Sequence, residues 1–221
     1  VEDCTVDAAY NVVYDSHNTQ NFKSVYFGNS IVKMTVANKP FYSTKSKGAY
    51  TQQSIRLENN VFYAETPLQN YLINCGDRSQ AFQTTRLQVE VTNNTIYNIY
   101  QPNIMIRAYV LAGLTVTKNV GYYTGVTAKN YLTGVYDTAG FTADKAEVTY
   151  NYLYTAPVSD TNFWSAKHTG SYTPANNQMG DGVEAPFSSM DAAKGYFPVD
   201  ASVVKTGAGA TYDTKAWFKA E

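Results

Sequence analysis

Along the first two-thirds of the chain, apolar and polar positions alternate in short bursts, and the bursts repeat. Six segments align without gaps: VEDCTVD from Val1, YFGNSIV from Tyr26, LENNVFY from Leu57, VTNNTIY from Val91, VTKNVGY from Val116 and VTYNYLY from Val148. Each reads apolar or Tyr, two variable residues, Asn, one variable residue, apolar, and usually Tyr. The fourth column is Cys4, Asn29, Asn60, Asn94, Asn119 and Asn151, and the sixth is Val6, Ile31, Phe62, Ile96, Gly121 and Leu153. Successive starts lie 25, 31, 34, 25 and 32 residues apart. A period of roughly 20–50 residues marks a stacked repeat. The alternation has the period of two that strands require, and the 3.6-residue spacing of a helical or leucine-rich repeat is not found.

Segments this short cannot fold alone. Stacked on its neighbours at the ~4.8 Å spacing of paired strands, each satisfies its backbone groups and buries its inward side chains. The pattern therefore predicts an all-β chain, a right-handed parallel β-helix (a solenoid) with about six coils. The Asn column, Asn29, Asn60, Asn94, Asn119 and Asn151, is expected where a strand bends. Asn tolerates the left-handed conformation, and its amide can bond to the Asn above and below. NVVYD (11–15), QSIRL (53–57), NYLIN (70–74), NIMIRAYVL (103–111) and AEVTYNYLY (146–154) read as further strands, and 43–52 and 76–85 as turns or loops. Uneven intervals place insertions between some strands.

The motif ends near Pro157, so residues 1–156 are read as coils and 157–221 as a final coil, loop and C-terminal cap of the same domain. The last segment is expected to close the open C-terminal end, because an exposed last coil is an edge that invites aggregation. The first motif starts at Val1 with nothing to cap it, and an N-terminal cap or upstream domain is expected to precede it.

Composition limits the setting. The chain has 221 residues, of which 44% are hydrophobic and 16% charged, the latter well below the roughly 25% of ordinary globular chains. Its surface must be made polar largely by Asn, Thr, Ser, Gln and 20 Tyr. A net charge of −1 argues against nucleic acid, which needs a basic face, and against an anionic membrane surface. No run approaches the ~20 apolar residues of a transmembrane helix, and VEDCTVDAAY has neither a basic n-region nor an apolar h-region. Cys4 and Cys75 lack metal-type spacing and read as buried free thiols, with a disulfide as the alternative in an extracellular setting.

The run LENNVFY…VTNNTIYNI resembles pectate-lyase-like right-handed β-helices. The tail GYFPVDASVVKTGAGATYDTKAWF resembles the C-terminal end of secreted β-helical lipoproteins of gut Bacteroidota, grouped in domain-of-unknown-function families. Cys4 in the Asn column and Gly121 in the apolar column depart from the motif. The resemblance implies an extracytoplasmic protein, secreted or on the outer-membrane surface, associated with polysaccharide utilisation.

Within that frame the seventh column, Asp7, Val32, Tyr63, Tyr97, Tyr122 and Tyr154, points outward if the sixth points inward. Two readings are open. The four tyrosines form a solvent-facing aromatic ladder for sugar rings, or the stack stabilises neighbouring coils or lies under a loop. Trp164, in a long loop beside His168, is a second candidate platform for a glycan. A lyase would want stacked carboxylates for Ca²⁺ and an Arg or Lys base. Glu58, Glu65, Asp77, Arg78, Arg86, Glu90 and Arg107 are the available charges, but the outward column of Glu2 and Glu58 turns into Thr92, Thr117 and Thr149. Asp137, Asp144 and Asp160 share no register suited to a hydrolase, and His17 and His168 read as surface or turn residues. The expectation is a carbohydrate-binding β-helix with no catalytic residue, metal or cofactor, and a polysaccharide or oligosaccharide as partner. The alternatives are a polysaccharide lyase or glycoside hydrolase, for which Ca²⁺ becomes possible, and an adhesive solenoid that binds envelope proteins.

Overall fold

The computed structural model describes residues 2, 4–9, 14–16, 23–44, 52–70, 72–75, 86–100, 104–106, 110–124, 135–137, 142–154, 169–179 and 185–211. In chain order its strands are β1 (Thr5–Ala9), β2 (Tyr14–Ser16), β3 (Ser24–Gly28), β4 (Ile31–Met34), β5 (Tyr42–Thr44) and β6 (Gln52–Glu58). They continue with β7 (Val61–Gln69), β8 (Ile73–Cys75), β9 (Arg86–Thr92), β10 (Thr95–Tyr100), β11 (Ile104–Ile106) and β12 (Val110–Thr117). The last six are β13 (Val120–Tyr122), β14 (Val135–Asp137), β15 (Thr142–Thr149), β16 (Tyr152–Tyr154), β17 (Thr169–Ala175) and β18 (Gln178–Met179). Among the described residues there is no helix.

From β1 to β16 the described strands visit three sheets in fixed rotation, and β17 and β18 then join the third and first. The first has the order β1-β4-β7-β10-β13-β16-β18, the second is made of β2, β5, β8, β11 and β14, and the third of β3, β6, β9, β12, β15 and β17. Strand pairing within each sheet is parallel throughout. All three sheets feed one apolar cluster. Val32, Phe62, Ile96 and Leu153 come from the first sheet, Tyr42 and Ile73 from the second, and Phe27, Leu57, Val91, Val116 and Val148 from the third.

Among the described residues the third and first sheets meet at a two-residue turn that recurs six times. Its first residue is left-handed: Asn29, Asn59, Asn93, Lys118, Tyr150 and Asn176 have φ of 48, 55, 55, 55, 57 and 58°. Its second residue is buried or half-buried and continues the ladder Ser30, Asn60, Asn94, Asn119, Asn151 and Asn177. Each ladder amide is used twice or more. Asn94 Oδ1 accepts from the backbone N–H and from Nδ2 of Asn60, both at 3.0 Å, and Asn94 Nδ2 donates to Leu57 O, Thr92 O and Asn119 Oδ1 at 3.1, 3.0 and 3.0 Å. Asn119 and Asn151 repeat the arrangement, and Asn177 Oδ1 closes it by accepting from Asn151. A buried amide without partners would cost a few kcal/mol, and the stack supplies them.

Two expectations are corrected here. Asn29 does not belong to the buried ladder. Ile31 pairs with Val61, so Ser30 lies level with Asn60 and Asn29 with the left-handed Asn59, whose Nδ2 donates to Asn29 Oδ1 at 2.9 Å. The Asn motif also does not end near Pro157, because β17, Asn176, Asn177 and β18, within the segment read as holding a final coil, form a further turn in register with Tyr150 and Asn151. Pro174, paired with Val148, stands at the apolar position of that repeat and disguises it.

The first sheet carries buried apolar residues on both faces. Val61 and Tyr63 alternate with Phe62 and Ala64 between two separate apolar clusters. The outer cluster joins Ile31, Val61, Tyr63, Tyr97, Val120 and Tyr152 to Phe187, Phe197, Val204, Ala208 and Ala210 of the C-terminal segment. Residues 185–211 thus lie along the flank of the stack, covering that apolar face, where closure of its last coil was the expectation. The third sheet is apolar on one face only, and its other face carries charge.

Candidate functional site

Register, read strand by strand, assembles the outer face of the third sheet. Parallel pairing sets Tyr26 beside Arg56, Arg56 beside Glu90, Glu90 beside Thr115, Thr115 beside Glu147 and Glu147 beside Thr173. Two residues further along each strand, Glu58, Thr92, Thr117 and Thr149 make a second row. Neighbours in a row are about 4.8 Å apart, the strand spacing. The inward partners of these residues, among them Ile55, Leu57, Val89, Val91, Leu114, Val116 and Val148, are in the core, so alternation leaves the polar set outside.

At one end of the face the groups converge on Arg56. Its Nη2 lies 2.7 Å from Glu58 Oε2 and its Nε 3.6 Å from Glu90 Oε2. Its Cζ stands 5.5 Å from the centre of the Tyr26 ring. Gln88 Nε2 donates to Glu90 Oε1 at 2.6 Å, which fixes the far carboxylate. The Tyr26 phenol reaches Glu58 Oε2 at 3.5 Å, and it lies over Gly28, where any side chain would collide with the hydroxyl. Burial first, then the Glu58 and Glu2 carboxylates, raise the Tyr26 pKa above its ordinary value, so the phenol stays protonated and remains a donor at neutral pH. Further along, Thr117 Oγ1 donates to Thr149 O at 2.8 Å, and Thr149 Oγ1 to Glu147 Oε1 at 3.3 Å. The result is a flat array of carboxylate acceptors with guanidinium, amide, hydroxyl and phenol donors, and one ring.

The tyrosines singled out by the repeat sit elsewhere. Tyr63 and Tyr97 are 5% and 7% exposed and Tyr122 is half-buried. Phe197 stacks on Tyr97 at 4.1 Å and packs on Tyr63 at 5.8 Å, and Phe187 meets Tyr122 edge-on. The column points away from the shared apolar cluster, as alternation requires, but the C-terminal segment covers it, so Tyr63 and Tyr97 are not the solvent-facing platform that sequence allowed. Lys33, not Val32, is their equivalent in β4, and it is paired with Glu65. Tyr154 pairs with Tyr122 in register, and the placement of its side chain lies outside the described residues. Trp164, His168, His17, Asp77, Arg78, Arg107 and Asp160 also lie outside them. Arg86, Asp137, Asp144 and Cys75 fall in β9, β14, β15 and β8 with only their backbone described. Cys4 is a free, half-buried thiol whose Sγ donates to Glu2 O at 3.1 Å. No His, Cys, Asp or Glu group suited to a metal occurs among the described residues.

The row of Glu58, Thr92, Thr117 and Thr149 was legible in the motif, but the row headed by Tyr26 and Arg56 was not singled out. Its signal is present as alternation in SIRLE, QVEVT, LTVT and EVT, once those runs are placed level. No family model matches this chain, and neither curated proteins nor solved structures give a match.

Proposed function

We propose that the chain is a right-handed parallel β-helix that works outside the cytoplasm as a carbohydrate-binding module, holding an extended polysaccharide along the outer face of the third sheet without cleaving it. The rotation of β1 to β16 through three parallel sheets around a shared apolar cluster supports the coil. The observation that carries the ligand is the pair of polar rows on that face, with Arg56 held between Glu58 and Glu90 beside the Tyr26 ring. Planar carboxylate, guanidinium and amide groups bond neighbouring hydroxyls in pairs, and an aromatic ring takes the C–H face of a sugar. Rows that recur with each coil suit a ligand that itself repeats. A low content of charged residues and the likeness to secreted β-helices support the extracytoplasmic setting.

Affinity electrophoresis against neutral and uronate polysaccharides tests the reading, followed by calorimetry on the polymer that retards the protein. Arg56→Ala and Tyr26→Ala are expected to weaken binding about tenfold each, the loss of roughly 1.4 kcal/mol. No retardation by any polymer, or retardation that both variants leave intact, would remove the face as the site.

A further inference from the structure

The C-terminal residues 185–211 carry much of their own hydrogen bonding. Ser188 N–H donates to Pro198 O at 3.0 Å and Asp200 N–H to Pro186 O at 2.7 Å. Asp191 and Tyr196 exchange bonds of 2.9 and 3.0 Å, and antiparallel bridges join Phe187 to Val199 and Asp191 to Tyr196. Their hold on the stack is of another kind. Phe187 and Phe197 rest on the tyrosine column, and three successive residues bond to three successive coils. Thr211 N–H donates to Asn59 Oδ1 at 2.7 Å, Ala210 N–H to Thr95 Oγ1 at 3.0 Å, and Gly209 N–H to Lys118 O at 2.8 Å. Residues 209–211 therefore cross the strands along the axis of the stack, stitching coils together without extending any sheet.

We propose that residues 185–211 are a strap that opens as a unit while the stack stays folded, and that opening uncovers the column Tyr63, Tyr97 and Tyr122. Opening breaks the stitches and the aromatic contacts. It leaves the strap's internal bonds in place, and also the Asn60–Asn94–Asn119–Asn151 ladder, whose partners all belong to the stack. Segments with few bonds to a core open at lower free energy than the core itself. The seat of the strap is tight at two glycines with positive φ. A Cβ at Gly195 would stand 2.6 Å from the Tyr63 ring and 2.8 Å from Ile31 Cγ2, and one at Gly209 would stand 2.5 Å from Val199 and 3.0 Å from Val120. The closest contacts of a methyl group at Gly195 are with Tyr63 and Ile31, neither of which belongs to the ladder, so it would push the strap off its seat.

Hydrogen exchange on the full chain tests this, with nitration of Tyr97 measured in parallel. The strap amides that bond to the stack, those of Gly209, Ala210 and Thr211, are expected to exchange about tenfold or more faster than the amides of Asn60, Asn94, Asn119 and Asn151. Gly195→Ala should speed the strap about tenfold again, with the ladder unchanged and Tyr97 nitration rising in step. If Gly195→Ala does not fold, Thr95→Val removes the acceptor of Ala210 with no added bulk and should act in the same direction. Exchange of strap and ladder at one common rate in wild type and variant overturns the proposal, as does a Tyr97 that stays unmodified while the strap exchanges.

Discussion

Asn93 and Asn94 are adjacent, identical in type, and do different work, so their alanine variants separate the two functions of the turn. Asn94 is fully buried. Removing its amide leaves the Asn60 backbone N–H without its acceptor, because Asn94 Oδ1 is the partner at 3.0 Å. Asn60 Nδ2 keeps Phe27 O at 3.0 Å, while Leu57 O and Thr92 O each lose a donor. One orphaned buried N–H costs about 1–3 kcal/mol, and the lost net bonds to the two carbonyls add about 1 kcal/mol each. Asn94→Ala is therefore expected to destabilise by about 3–5 kcal/mol. Asn93 has φ 55° and is half-buried. Alanine there meets only the left-handed penalty, about 1 kcal/mol over Asn. Urea unfolding followed by far-ultraviolet circular dichroism and tyrosine fluorescence measures both, provided the two probes coincide and m is unchanged. Equal losses, within about 0.5 kcal/mol, would refute the ladder as the main source of turn stability. Asn94→Asp extends the test to pH. A carboxylate facing Leu57 O, Thr92 O and Asn119 Oδ1 is held in its protonated form, so its folded pKa lies above the unfolded value. The deficit should then be small in acid and grow as pH rises past about 4, the ordinary aspartate value.

Two further outcomes follow from the same turn and from the flank. Tyr150 occupies the left-handed position with φ 57° and is 41% exposed, so Tyr150→Asn should add about 0.5–1 kcal/mol of stability, read as a higher urea midpoint; a fall would mean that the ring makes contacts worth more than the strain. Burial under the strap raises the Tyr97 pKa above its ordinary value, more than the Asn98 hydrogen bond lowers it. Its contribution is complete below the unfolded value near pH 10 and is lost as pH rises through the raised folded value, so wild type should weaken in alkali and Tyr97→Phe should weaken less. An identical alkaline slope in the two proteins would count against the burial.

How far the fold could be read depended on which residues repeat without ambiguity. VTNNTIY, VTKNVGY and VTYNYLY place the turn and the inward apolar residues because only one alignment keeps both. GNS at 28–30 has a single Asn that fits either turn position, and only the pairing of Ile31 with Val61 assigns it to the left-handed one. PANNQM, with Pro174 in place of Val or Leu, hid a repeat that pairing with Val148 exposes. The candidate site followed the same logic. Alternation marks Arg56, Glu58, Glu90 and Thr92 as outward, yet their convergence on Tyr26 depends on levels set by strand pairing between residues about 30 apart.

What the sequence determined by itself is local and periodic: an all-β chain, an Asn-centred turn, and inward and outward positions along each strand. These follow from the period of two and from the tolerance of Asn for left-handed backbone, and neither requires knowledge of distant contacts. Only the tertiary structure decided the fate of the outward side chains. Tyr63 and Tyr97 alternate outward just as Arg56 and Glu90 do, but Phe187 and Phe197, more than 80 residues further on, fold back over the first sheet and leave the third sheet's polar face uncovered by them. An apolar flank gains by burial against any apolar segment that reaches it, and periodicity along one strand carries no record of which segment that is.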